Sequence, residues 1–116
     1  MPSRHPNRDV TFDVVRNVLE MRVTLPGADG RSYTHRCERN TFREIIYAIE
    51  ERAADGTTVE ELVAATGLPH TQVAVALAFL VERGCVIKDG RRNFPASDGI
   101  YADAMCEFTY LAEAPY

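Results

Sequence analysis

From Leu19 to Leu25, apolar residues alternate with polar ones: Leu19, Met21, Val23 and Leu25 are separated by Glu20, Arg22 and Thr24. A period of two predicts a strand with one covered face. Pro26 to Gly30 supplies turn residues, and Arg31 to Cys37 returns as a partner, so an amino-terminal β-hairpin is expected over 17–37. Before it, Val10, Val14, Val15 and Val18 allow a short helix, although four β-branched side chains weaken its propensity.

The period then changes. Phe42, Ile45, Ile46, Ile49 and Ala53 recur on one helical face behind a capping box of Thr41 and Glu44, and Gly56 closes the segment. A second helix follows, capped by Thr58 and Glu61, with Val59, Leu62 and Val63 on its inner side and Gly67 as its stop. The third begins near Pro69 to Thr71, carries Val73, Leu77 and Leu80 inward, and leaves through Gly84. These three helices form a core over 41–84. Cys85, Val86 and Ile87 then read as a strand, Asp89-Gly90 as a hairpin turn, and Arg92 to Phe94 as the return, giving a β-hairpin at 85–95. In the last segment, 98–116, Ile100, Ala104, Phe108 and Leu111 predict a helix, while the alternation of Cys106, Phe108 and Tyr110 also permits an extended ending. Met1 to Asp9 reads as a flexible tail ahead of one domain over 10–116, and the fold class is α+β.

The stretch TVEELVAATGLPHTQVAVALAFLVERGCVIKDGRR, Thr58 to Arg92, resembles the winged helix-turn-helix superfamily, notably small prokaryotic transcription regulators. The likeness rests on the apolar second helix, Gly67-Leu68 at the turn, the Val73/Leu77/Leu80 stripe, Gly84, and Val86-Ile87 entering a glycine-turn hairpin. It implies that the third helix is a recognition helix and the final hairpin a wing. In DNA-reading members the early residues of that helix touch phosphates or base edges. Those positions are His70, Thr71 and Gln72 here, and Gln72 can present donor and acceptor together to adenine. Lys88, Arg91 and Arg92 make the wing locally basic, suited to phosphate or a minor groove.

Further along the same helix the expected polar residues are replaced by Val75, Ala76, Ala78 and Phe79. These make no ionic contact with phosphate, and Phe79 suits packing better than groove reading. The charge agrees. The chain carries a formal net charge of -4, and between Asn40 and Ser97 six basic residues face eight acidic ones. Two readings therefore stand: a DNA-binding regulator acting as a homodimer on double-stranded DNA, or a winged-helix module for a partner protein, with Val75, Ala76, Phe79, Tyr101, Met105 and Phe108 as its interaction surface. In the second, Val75, Ala76 and Phe79 are covered by the carboxy-terminal segment or by another subunit.

Little points to catalysis. His35 and Cys37 share one side of a strand without a compact set of further ligands, and Glu50/Glu51 and Glu60/Glu61 follow polar helix faces. No serine sits in a nucleophile elbow, and Gly27-Ala28-Asp29-Gly30 is too short for a phosphate loop. The expectation is a non-enzyme without cofactor or metal. Three scattered cysteines do not make a disulfide framework, and no apolar run reaches the ~20 residues of a membrane span. No membrane association and a cytoplasmic location are expected.

Overall fold

The computed structural model describes residues 9–27 and 30–113. Nearly all of the expected amino-terminal tail, the centre of the 26–30 turn and the last three residues lie outside the described residues. The chain is a mixed α+β domain. Three antiparallel strands, β1 (Asp9–Val15), β2 (Val18–Thr24) and β3 (Ser32–Glu38), lead into α1 (Arg39–Glu51), α2 (Val59–Thr66) and α3 (His70–Glu82). A two-stranded hairpin of β4 (Val86–Asp89) and β5 (Arg92–Pro95) follows, then α4 (Ile100–Glu113).

The expected 17–37 hairpin is present as β2–β3, and β1 extends it by a strand where a short helix was also allowed. β-branched residues fit the pleated surface better than a helix. The β1–β2 turn is tight: Arg16 and Asn17 both adopt left-handed backbone, at φ 54° and 66°. That matches the two-residue hairpin turn whose twist suits the strands. Asparagine tolerates this region, whereas arginine there costs about 1–2 kcal/mol.

Register places Val14, Leu19 and Cys37 in one cross-strand row and Phe12, Met21 and His35 in the next. These rows face the helices: the first is buried, and Phe12 and Met21 pack against the main cluster. The opposite face carries Thr11, Asp13, Arg22 and Thr34, with Glu20 and Arg36 ion-paired at 3.0 Å.

The first helix departs from expectation at both ends. It begins at Arg39, directly from β3, with Glu38 at the N-cap, so Thr41 lies inside the helix and the Thr41/Glu44 box does not form. It ends at Glu51, leaving Ala53 exposed. The second helix follows its sequence signals closely. Glu61 N–H donates to Thr58 Oγ1 at 3.1 Å, Thr58 N–H donates to Glu61 Oε1 at 3.2 Å, and Gly67 closes the helix at φ 72°. At the carboxy terminus the helix prevails over the extended alternative. Ile100, Ala104 and Phe108 are buried, and the Phe108 ring lies 5.2 Å from that of Phe42. Among the described residues no helix is long and apolar enough to cross a membrane.

Candidate interface

Helix α3 is apolar on two sides. Val73, Leu77 and Leu80 turn toward the other helices as expected, and Val75, Ala76 and Phe79 are also fully buried. Their cover is the sheet of the same chain. Helix α3 packs most extensively on β3 and also on β2, while the Phe79 ring meets Phe12 of β1 edge-on at 5.3 Å and Phe42 of α1 at 5.8 Å. The inner row of the sheet needs an apolar partner, and this second stripe of α3 supplies one.

Four of the expected interaction-surface residues therefore belong to the chain's own core: Val75, Ala76, Phe79 and Phe108 present no surface to a second molecule. The strands of the same chain thus give the main cover of α3 that was expected from the carboxy-terminal segment or another subunit. Tyr101 and Met105 are half-buried on α4.

The DNA-contact candidates divide. His70 and Thr71 are exposed at the start of α3. Gln72 is half-buried and its Oε1 accepts the Glu38 N–H at 3.1 Å, so it serves the first residues of α1 in place of a local cap. In the hairpin, Arg91 Nη2 pairs with Glu60 Oε1 at 3.0 Å. The two Nη groups of Arg92 take the two carboxylate oxygens of Glu61 at 3.2 Å each, and Nη1 also donates to the Gly56 carbonyl at 3.3 Å. This fork is the stronger form of guanidinium–carboxylate pairing.

Both glutamates titrate below the usual carboxylate range. For Glu61 the Arg92 hydrogen bond is the main cause, followed by the Thr58 N–H. For Glu60 its own backbone N–H leads, and Arg91 contributes as well. Lys88 is exposed and has no ion-pair partner among the described residues.

The hairpin is fastened to the linker between α1 and α2. Asn93 is 3% exposed; its N–H and Nδ2 both donate to the Thr57 carbonyl, at 2.8 and 3.0 Å, and its own carbonyl accepts the Thr57 N–H at 3.0 Å. Gly56 sits under the Phe94 ring at φ 72°, where a Cβ would lie 2.7 Å from ring carbons. Beside this seam Arg52, Asp55, Gly56, Glu61 and Arg92 line a shallow, open depression of about 450 Å³.

No family model matches this chain, and no curated protein or solved structure does either. Its surface must speak for itself.

One cluster escaped the sequence reading. Arg39, Arg43 and Tyr47 recur four residues apart on α1, and α4 sets Tyr101 beside them. The rings of Tyr47 and Tyr101 stack at 5.0 Å with 4° between their planes. Arg43 Nε donates to the Tyr101 hydroxyl at 2.9 Å, and its guanidinium carbon lies 5.9 Å from that ring's centre. The Tyr47 hydroxyl and the Arg43 guanidinium hold the Tyr101 phenol below its ordinary value. The i, i+4, i+8 spacing was visible in the sequence; the α4 partner was not.

Neither of the other chemical candidates assembles further. His35 shares the inner face with Cys37, but its ring meets Tyr33 at 4.9 Å, and burial pushes the Cys37 thiol up to about 12. Among the described residues no three His, Cys, Asp or Glu side chains come together as a metal site.

Proposed function

We propose that this chain is a winged helix-turn-helix domain that acts as a protein-interaction module, with little or no direct binding of DNA through its third helix. The fold half of this reading is supported by α2, the left-handed Gly67 and α3 in immediate succession, followed by a short hairpin fastened back onto the α1–α2 linker. The observation that carries the functional half is the cover on α3. A recognition helix needs a free outward face to enter a groove about 12 Å wide. Here that face is filled by Phe12 and the strands beside it.

Two further features support it. Gln72 spends its acceptor on the backbone of Glu38, and the wing arginines are neutralised by α2. A protein without strong phosphate contacts lacks the term that supplies most non-specific affinity for nucleic acid.

Selection from a random duplex pool at low salt, followed by mobility shift, tests the proposal. The expected result is no enriched sequence and no shift that depends on Lys88, Arg91 or Arg92. An enriched site whose binding falls on His70→Ala or Gln72→Ala would overturn it in favour of the regulator reading, which draws on the exposure of His70, Thr71 and Lys88.

A further inference from the structure

We infer that the surface formed by Arg39, Arg43, Tyr47 and Tyr101 is the docking site for a short acidic, carboxylate-rich segment of a partner protein. The inference rests on the interaction-module reading and gives it a place and a chemistry. Its first support is the distribution of unneutralised charge. Arg36, Arg83, Arg91 and Arg92 each pair with a glutamate. Arg22, Arg31, Arg52 and Lys88 have no ion-pair partner among the described residues but lie scattered along the chain, whereas Arg39 and Arg43, also without one, stand one turn apart on α1. Arg16 also has no ion-pair partner among the described residues, and its turn adjoins them because the Arg39 N–H donates to the Asn17 carbonyl at 3.1 Å. In a chain of net charge -4, these cations gather at one end of α1.

The second support is preorganisation. A solvated arginine must be immobilised before it can hold a ligand, which costs about 0.5–1.5 kcal/mol per side chain. Arg43 is already held by the Tyr101 hydroxyl through Nε and by a side-chain hydrogen bond with Tyr47, and it has no ion-pair partner among the described residues. That leaves donors for the planar, two-pronged pairing that a carboxylate accepts. Tyr47, 45% exposed, adds an apolar ring and a hydroxyl beside it. Tyrosine and arginine are the residue types that dominate binding energy at protein interfaces.

The size and the rings argue for a peptide over a nucleic acid strand. The eight helical steps from Arg39 to Tyr47 span about 12 Å, enough for a few carboxylates. An extended phosphodiester would run beyond the patch into the field of an acidic protein. Base stacking also needs open ring faces, and the Tyr101 ring is already flanked by Tyr47 and Arg43.

Amide chemical shifts of the full chain, followed while a short peptide of alternating glutamate and serine is added, test the site. A glutamine–serine peptide and an oligothymidylate of matched charge serve as the other arms. The expected result is shifts confined to α1 around Arg39–Tyr47 and to the start of α4, seen with the glutamate peptide alone and suppressed by high salt. Arg43→Ala should weaken binding roughly tenfold. Tyr101→Phe, which preserves the charge and removes the hydroxyl that holds Arg43, should weaken it severalfold, and Arg52→Ala should leave it unchanged.

Absence of localised shifts, equal response to the glutamine peptide, insensitivity to Arg43→Ala, or tighter binding of the oligothymidylate at the same residues would each overturn the inference. The duplex selection separates the two levels. Sequence-specific duplex binding removes the interaction-module reading itself, whereas a failed glutamate titration with negative duplex results removes this site alone.

Discussion

Phe79→Ala tests the central feature of the fold, the burial of the outward side of α3. The ring is fully buried and touches two other aromatic rings, Phe12 at 5.3 Å and Phe42 at 5.8 Å, with the Arg83 guanidinium 5.4 Å from its centre. Returning a buried phenylalanine side chain to water is worth about 1.5–3 kcal/mol. The space left by the ring, of order 100 Å³, adds about 2 kcal/mol at ~24 cal/mol per Å³ if the surroundings do not collapse. The expected loss is therefore about 4 kcal/mol, within the range of roughly 3–5 kcal/mol for such truncations.

Urea unfolding followed by far-ultraviolet circular dichroism measures it, with Phe79→Leu as a milder companion expected to cost about 1–2 kcal/mol should the alanine variant be too unstable to purify. If α3 instead presented this face to solvent, both substitutions would fall within about 0.5 kcal/mol of the parent. Such a result would refute the covered-helix description and with it the main support for the interaction-module proposal.

Other outcomes follow from the same packing. Gly56→Ala combines a left-handed backbone with a Cβ driven against the Phe94 ring and should lower stability by about 1–3 kcal/mol; a urea midpoint unchanged from the parent would show that the seam yields freely. A thiol reagent should find Cys106 in the native protein and reach the buried Cys37 and Cys85 only on denaturation; rapid native reaction of all three would contradict the core. Because burial raises Cys37 to about 12, the folded chain keeps that proton while the unfolded chain loses it near 9. Stability contributed by the neutral thiol is thus full below pH 9 and declines above it by up to about 1.4 kcal/mol per pH unit. Urea titrations between pH 8 and pH 10 should show a steeper decline for the parent than for Cys37→Val, and parallel slopes would count against it.

The parts of this fold that were legible in the sequence are those fixed by neighbours in the chain. The Thr58/Glu61 box, the Gly67 stop and the glycine-turn hairpin each involve groups a few residues apart; the first two form as expected, and the hairpin turns one residue later, through Gly90-Arg91, with Asp89 still paired in β4. The parts that were not legible depend on distant groups. β1 lacked its turn signal because the hairpin turns through Arg16-Asn17 without a glycine. Helix α1 begins earlier than its own residues suggest, since Gln72, far along the chain, accepts the Glu38 N–H. The β4–β5 hairpin read as basic because Arg91 and Arg92 stand next to Lys88, yet Glu60 and Glu61 arrive through the fold to neutralise two of the three. Apolar residues on the outer side of α3 were evident; which element covers them was not, since strand rows carry no address.

That cover also limits what rearrangement could achieve. Freeing α3 for a groove requires lifting the sheet, and the sheet is part of the single core: Val14, Leu19 and Cys37 lie in the same buried cluster as Val75 and Phe79. Exposing Val14, Leu19, Val75 and Phe79 together would cost on the order of 6–12 kcal/mol, comparable to the ~5–15 kcal/mol that holds a whole domain folded. An open form would be almost as rare as the unfolded chain, and a ligand would have to supply that energy before gaining any affinity. The tyrosine–arginine surface on α1 and α4 needs no such opening. Its ring stack and its Arg43–Tyr101 hydrogen bond exist in the closed molecule. An acidic segment can meet it with the core intact, so binding there would add to the stability of the folded chain instead of competing with it.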